Sequence, residues 1–259
     1  MPDMEMTRRL TVDGTTVDVT ATDQGAGRPH LLLHGGGGPA TVAAFATLLA
    51  GSARVIVPTH PGFGGTPRPE SLATVRGLAR VYLGLLEDLD LEDVVVVGNS
   101  MGGWIAAEMA IEGARRISAV VIVDAVGIDV PGHAIVDFFA LTPREIAERS
   151  YHDPDRYGID PSKLPPQVQQ AMAGNRAALT TYAGTGMHDP TLGGRLGGVK
   201  VPALVVWGED DRIADVDYGR AFAAAIPGGE FKVLAEAGHL PQIERPERLL
   251  EAVTEFAGG

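Results

Sequence analysis

The clearest indication of the fold is the sequence Val94-Val95-Val96-Val97-Gly98-Asn99-Ser100-Met101-Gly102-Gly103. Its four consecutive valines are typical of a parallel β-strand that is buried on both faces. The residues that follow, Trp104 to Ala110, have the composition of a helix. Glycines on both sides of Ser100 permit a sharp turn that exposes the serine hydroxyl. The pattern therefore favours a nucleophilic serine at a strand-to-helix turn, with a purely structural glycine-rich turn as the alternative.

The composition indicates a globular protein with one sizeable core. The chain has 259 residues, of which 45% are apolar, and a formal net charge of −12 without any basic run. This charge argues against nucleic acid and anionic membranes as partners. The chain has no cysteine, which excludes disulfides and a cysteine nucleophile. Because we find no leader sequence and no apolar stretch of the ~18 residues that a membrane helix needs, we expect a cytoplasmic protein.

Short apolar runs alternate with helical stretches along the chain. A hairpin is predicted over residues 7–22, with a tight turn at Asp13-Gly14. Ser71 is the predicted N-cap of a helix that ends at Leu89. The predicted buried strands are 30–33, 54–58, 94–97, 119–123, 203–207 and 230–234, and the other predicted helices are 40–49, 104–112, 216–225 and a last one ending near Phe256. This alternation predicts an α/β fold with a mainly parallel, doubly wound sheet covered by helices on both faces.

The segment 127–198 interrupts this alternation. It has no strong strand pattern, but Thr142-Pro143-Arg144-Glu145 is a capping box at the start of a helix. A second helix is predicted over residues 167–182, directly after Pro165-Pro166. We therefore divide the chain into a core, residues 1–126 and 199–259, and a mostly helical insertion, residues 127–198.

A serine nucleophile needs a histidine as general base and an acid that orients the histidine. Two loops that follow predicted strands carry these residues, namely Trp207-Gly208-Glu209-Asp210-Asp211 and Ala237-Gly238-His239-Leu240-Pro241. Parallel strands end at one edge of a sheet, so both loops should lie at the edge that carries Ser100.

These motifs resemble those of the α/β-hydrolase family. The likeness rests on His34-Gly35-Gly36-Gly37-Gly38, on the motifs around Ser100 and Asp211, on residues 238–246, and on the chain order Ser, Asp, His. It implies that 127–198 is a lid, that Ser100 is the nucleophile, that His239 is the general base and that Asp211 orients it. Asp210 is an alternative acid if the turn is shifted, and Asp124 stands at the family's occasional alternative position.

The resemblance also implies an oxyanion hole formed by the backbone N–H groups of Gly36 and Met101. His34 is expected to be structural, and His60 is expected to be structural or to lie at the rim of the site. Candidate pocket residues are Gly35, Phe63, Phe138, Phe139, Arg176 and Leu240. No cofactor is expected. Metal binding is not expected either, because the pairs His152-Asp153 and His188-Asp189 have no third ligand at a matching spacing.

Such a triad transfers an acyl group to water through an acyl-enzyme, which makes hydrolysis of a small-molecule ester the leading prediction. The motifs also resemble those of the meta-cleavage-product hydrolases, which cut C–C bonds. Those enzymes usually have tryptophans where this chain has Leu240 and Ile243, and they use a lid arginine for which Arg176 is a candidate. Lactone hydrolysis, perhydrolysis and a non-catalytic binding role are further alternatives, whereas Ser100 argues against epoxide and haloalkane chemistry. The sequence does not indicate the oligomeric state.

Overall fold

A mixed β-sheet forms the centre of the computed structural model, which describes residues 4–113 and 115–258. Its eight strands are β1 Met4–Val12, β2 Thr15–Gly25, β3 Pro29–Leu33, β4 Arg54–Pro58, β5 Val94–Asn99, β6 Ile117–Val123, β7 Ala203–Gly208 and β8 Glu230–Leu234. They are arranged in the order β1-β2-β4-β3-β5-β6-β7-β8. Strands β3 to β8 are mutually parallel, and the β1–β2 hairpin adds antiparallel strands at one edge. The predicted mainly parallel sheet is confirmed.

Helices cover both faces of this sheet. The α-helices of the described residues are α1 Ala43–Leu49, α2 Val75–Asp88, α3 Met101–Ile111, α4 Pro143–Ser150, α5 Pro154–Tyr157, α6 Pro166–Ala183, α7 Leu192–Arg195, α8 Val216–Ala224, α9 Pro241–Glu244 and α10 Pro246–Gly258. Short 3-10 helices occur at Pro39–Thr41, Phe138–Ala140, Pro161–Lys163 and Leu196–Gly198. Within the part of the chain that the structure describes, none of the helices has both the length and the apolar character needed to span a membrane.

The four valines of β5 show how the sheet separates two hydrophobic cores. Val94 and Val96 belong to a core that also contains residues of α2, α3 and α8. Val95 and Val97 belong to a second core, on the other face, with residues of α1 and α10. All four valines are buried, because successive side chains of a strand point to opposite faces and both faces are covered here.

The predicted start of the second helix is wrong. Helix α2 begins at Val75 and its N-cap is Thr74, whose hydroxyl accepts a hydrogen bond from the N–H of Gly77 at 3.0 Å. The hydroxyl of Ser71 instead bonds to that of Thr15 in the hairpin, at 2.9 Å. Because this tertiary contact engages the Ser71 side chain, the helix is capped by Thr74, the next residue along the chain with a hydroxyl group.

The segment between β6 and β7 contains four of the helices, α4 to α7. The capping box of α4 is complete, since Thr142 and Glu145 each accept a hydrogen bond from the backbone N–H of the other. Helix α6 packs its second half on the core through Leu179 and Tyr182. That this segment, divided from the core at residues 127 and 198, acts as a lid stays a prediction.

Candidate active site

Ser100 occupies the tip of a sharp turn between β5 and α3. Its backbone has φ 55° and ψ −120°, which is an unfavourable conformation for a residue with a side chain. A Cβ atom at position 98 would lie 2.1 Å from the carbonyl oxygen of Gly102, and one at position 102 would lie 2.3 Å from the carbonyl oxygen of Leu33. The turn can therefore close only because glycine flanks the serine on both sides.

A chain of hydrogen bonds joins Ser100 to two side chains from other loops. Nε2 of His239 lies 2.9 Å from Oγ of Ser100, and Nδ1 of His239 lies 2.8 Å from Oδ2 of Asp211. Oδ1 of Asp211 accepts hydrogen bonds from the backbone N–H groups of Ile213 and Ala214 at 2.8 and 3.2 Å. The Asp211 side chain is fully buried. This geometry directs the acceptor nitrogen of the imidazole toward the serine hydroxyl.

The backbone of His239 is held at both its N–H and its carbonyl. The N–H donates to the carbonyl of Ser150, the last residue of α4, at 2.8 Å, and the carbonyl accepts from the side-chain amide of Asn99 at 3.1 Å. Gly238 donates its N–H to the buried carboxylate of Glu244 at 2.7 Å. The roles of Asn99, Ser150 and Glu244 were not predicted from the sequence. The only pattern that could have indicated any of them is the position of Asn99 directly before the serine.

The two alternative acids lie in different surroundings. Asp210 pairs with His152 at the protein surface, with 2.6 Å between Oδ2 and Nδ1. Asp124 is completely buried and accepts a hydrogen bond from the N–H of Gly208 at 2.8 Å. Burial, and then the charge of Asp211, raise the pKa of Asp124 well above its usual value. Of the three candidates, only Asp211 hydrogen-bonds to His239 in the structure.

Two buried histidines shape the loop after β3. His34 donates from Nδ1 to the carbonyl of Gly35 at 2.7 Å, and its Nε2 accepts from the N–H of His60 at 3.1 Å. His60 donates from Nε2 to the carbonyl of His34 at 2.8 Å, and its Nδ1 accepts from the hydroxyl of Tyr82. Burial lowers the pKa of His34 to about 4 and that of His60 well below its usual value. Both imidazoles are therefore neutral at neutral pH, and each has one donor and one acceptor in use.

The loop formed by these histidines passes directly beside Ser100. A Cβ atom at position 35 would lie 3.0 Å from Cβ of Ser100, so the loop touches the serine. Within residues 4–113 and 115–258, neither the N–H of Gly36 nor that of Met101 has a protein acceptor. That these two N–H groups form an oxyanion hole stays a prediction.

Asn175 of α6 connects the insertion to this loop. Its side-chain amide donates to the carbonyl of Gly37 at 2.9 Å, and its side-chain oxygen accepts from the N–H of Gly64 at 2.8 Å. Next along the same helix face, Leu179 packs against Gly36, where a Cβ atom would lie 2.6 Å from the leucine methyl group. The sequence contains no pattern that predicts either contact.

The predicted pocket residues fall into two groups. Gly35 and Leu240 adjoin the serine and the histidine, while Phe63 is buried behind the loop, stacked on Tyr182. The others form a cluster in the insertion. Arg176 lies 5.2 and 5.0 Å from the ring centres of Phe138 and Phe139, and donates to the carbonyl of Phe139 at 2.8 Å.

Three side chains of the site have atoms of the kind that bind metal ions, but most of these atoms are engaged in hydrogen bonds. Ligand atoms of Asp124, Asp211 and His239 lie within 4.8 Å of one another. The oxygens of Asp211 and Nδ1 of His239 are already used in hydrogen bonds to each other and to the backbone. His152 pairs with Asp210 and not with its chain neighbour Asp153. That the protein uses no metal and no cofactor stays a prediction.

The sequence of this chain is similar to a protein-family model and to individual enzymes. Residues 31–252 match the model of the alpha/beta hydrolase family. A 2-hydroxy-6-oxononadienedioate/2-hydroxy-6-oxononatrienedioate hydrolase of Burkholderia vietnamiensis is 32% identical over 274 residues, covering 94% of this chain and 92% of the relative. A 2-hydroxymuconate semialdehyde hydrolase of Pseudomonas putida is 28% identical over 268 residues, with coverage of 90% and 88%.

The fold of this chain is also similar to that of a solved esterase structure. A thermophilic esterase from Thermogutta terrifontis superposes with a TM-score of 0.77 at 28% identity, covering 96% of this chain and 97% of the esterase. The family model spans most of the chain, and the two relatives align with 94% and 90% of the chain. This chain therefore belongs to the alpha/beta hydrolase family and is a hydrolase.

Proposed function

We propose that this hydrolase cleaves a small-molecule ester through an acyl-enzyme formed on Ser100. The observation that carries the proposal is the continuous hydrogen-bond chain from Ser100 through His239 to Asp211, with distances of 2.9 and 2.8 Å. A nucleophile, a base within hydrogen-bond reach and a buried acid that orients the base are the parts that acyl transfer requires.

In the first half of the reaction, His239 removes the hydroxyl proton as Ser100 attacks the ester carbonyl carbon. The buried carboxylate of Asp211 holds the imidazole in the required tautomer and stabilises the imidazolium that forms. The imidazolium then gives its proton to the departing alcohol. In the second half, the same histidine activates a water molecule, and the acid product leaves with Ser100 restored.

The tetrahedral oxyanion in both halves needs fixed donors. The N–H groups of Gly36 and Met101 are our candidates, because neither has an acceptor among the described residues and both belong to segments that adjoin Ser100. Donors of this kind typically contribute about 10²–10³ in rate. The neutral His34–His60 pair supports the role of Gly36, since it holds the loop by hydrogen bonds at both ends of each imidazole.

Labelling of the serine tests the nucleophile. We expect a fluorophosphonate probe to add once to the protein, as measured by intact mass, and not to add to Ser100→Ala. Equal labelling of both proteins would overturn the proposal. A matched pair tests the acid, because Asp211→Asn should lower ester turnover strongly and Asp210→Asn, one residue away at the surface, should leave it nearly unchanged.

C–C bond hydrolysis is the second candidate. It is supported by the relative from Burkholderia vietnamiensis, which is 32% identical and named as a hydrolase of a dienedioate. The position of Arg176, the candidate for the lid arginine, argues against C–C bond hydrolysis. Its guanidinium lies over two phenylalanine rings and donates to backbone carbonyls, so it is engaged within the insertion itself.

A paired assay distinguishes the two candidates. The protein is supplied with p-nitrophenyl esters of graded acyl length and, in parallel, with a 2-hydroxy-6-oxo-dienoate. We expect kcat/KM to be higher for at least one ester. Strong turnover of the dienoate with poor turnover of every ester would contradict the ester proposal and favour C–C hydrolysis. In that outcome, Arg176→Gln should raise KM for the dienoate more than KM for an ester.

A further inference from the structure

Asp124 is a buried carboxyl group for which the proposed reaction has no role. It follows β6 directly, its side chain has no exposed surface, and its backbone has φ 43°. One oxygen, Oδ1, accepts a hydrogen bond from the N–H of Gly208 at 2.8 Å. The other oxygen, Oδ2, has no hydrogen-bond partner among the described residues. A buried oxygen without a donor is costly, so its state requires an explanation.

The groups around Asp124 explain why no donor reaches it. A carboxylate oxygen of Asp211, on the loop after β7, and an imidazole nitrogen of His239, on the loop after β8, each lie within 4.8 Å of a carboxylate oxygen of Asp124. The carboxylate of Glu244 in α9 adds a weaker repulsion. Among the described residues, no Arg or Lys side chain is close enough to stabilise a negative charge on Asp124. Two carboxylates this close in a buried site cannot both stay ionised. Asp211 has three donors directed at its oxygens, whereas Asp124 has one.

We propose that Asp124 is a neutral carboxylic acid whose Oδ2–H donates a hydrogen bond to the carboxylate of Asp211, and that it is a positioning residue for the Ser100–His239–Asp211 chain. This inference rests on the proposed function. The proton satisfies the orphaned oxygen and removes the repulsion between the two acids. Burial, which raises the pKa of Asp124, favours the same state. Asp211 then has four donors around it and faces His239 as a fixed anion.

Asparagine is a matched substitute for a neutral Asp124. Its side-chain oxygen can accept from Gly208 and its NH₂ can donate to Asp211, and asparagine tolerates a positive φ as well as aspartate does. We expect Asp124→Asn to keep kcat/KM within about threefold of the wild type. Asp124→Ala removes the donor, and because hydrogen bonds to charged groups are strong, kcat/KM should fall about 10- to 100-fold.

Infrared spectroscopy tests the proton itself. In the difference spectrum of the wild type minus Asp124→Asn at neutral pH, we expect a positive C=O band of a protonated carboxylic acid. Positive carboxylate bands in its place would show an ionised Asp124 and overturn the proposal. Far-UV circular dichroism establishes that each variant is folded, and the infrared measurement needs only the asparagine variant, so a misfolded alanine variant does not prevent the test.

The kinetic outcomes are also decisive. If Asp124→Asn loses as much activity as Asp124→Ala, the negative charge is what matters and the neutral donor is refuted. If a folded Asp124→Ala keeps the wild-type kcat/KM, Asp124 positions nothing. Failure of the proposed function is distinguishable, because it would show as unchanged labelling of Ser100→Ala while leaving the infrared band in place.

Discussion

The buried, neutral state of His34 should make the folding stability depend on pH. Burial lowers the pKa of His34 from 6.5 to about 4 in the folded protein, whereas the unfolded chain has the ordinary value. Between these two values the unfolded state binds a proton that the folded state does not. The contribution of His34 is therefore complete above about pH 6.5, and it is lost as the pH falls toward 4. The full difference corresponds to about 3 kcal/mol, of which about 2 kcal/mol is lost by pH 5.

Urea unfolding at about pH 7.5 and pH 5 measures this effect. His34→Gln should be less stable than the wild type at both values, because it disrupts the bonds to Gly35 and His60. Its stability should fall about 2 kcal/mol less than that of the wild type between the two values, because one buried titrating group is gone. His188→Gln, at an exposed histidine, is the matched control and should keep the wild-type pH dependence. An identical pH dependence in His34→Gln and the wild type would show that His34 is not the source of the effect.

Three further predictions concern the site and its supports. Asp211→Asn should lower kcat for the best ester by about 10³–10⁴-fold in steady-state assays, because the imidazole loses its orienting anion. The control Asp210→Asn should change kcat less than about threefold, because Asp210 pairs with His152 and not with His239. Gly98→Ala places a Cβ 2.1 Å from a backbone oxygen and should cost more than about 3 kcal/mol in urea unfolding, whereas Gly174→Ala, with open space in α6, should stabilise by about 0.5–1 kcal/mol. Asn175→Ala removes the hydrogen bonds of this side chain to Gly37 and Gly64, and should lower kcat/KM about tenfold and reduce the urea midpoint.

Local patterns in the sequence were sufficient for most of the fold. The β-branched runs predict the parallel strands, and Asp13-Gly14 predicts the hairpin turn, where both residues have positive φ. The capping box at Thr142 predicts the start of α4. One exception is Ser71, whose hydroxyl contacts Thr15 across the fold. These successes share a cause, because each pattern acts through neighbours in the chain.

Glycine spacing was enough to predict the turn that exposes Ser100, and strand order was enough to place the loops of Asp211 and His239 at the same edge of the sheet, because these are local or topological properties. The family resemblance favours Asp211 over the adjacent Asp210, and the tertiary structure shows that Asp211 is the aspartate that hydrogen-bonds to His239. Asp210 turns to the surface and Asp211 is buried, a difference set by how the loop after β7 packs. It also decided that Asp124 lies against Asp211, since residues 87 positions apart meet only when neighbouring strands end side by side.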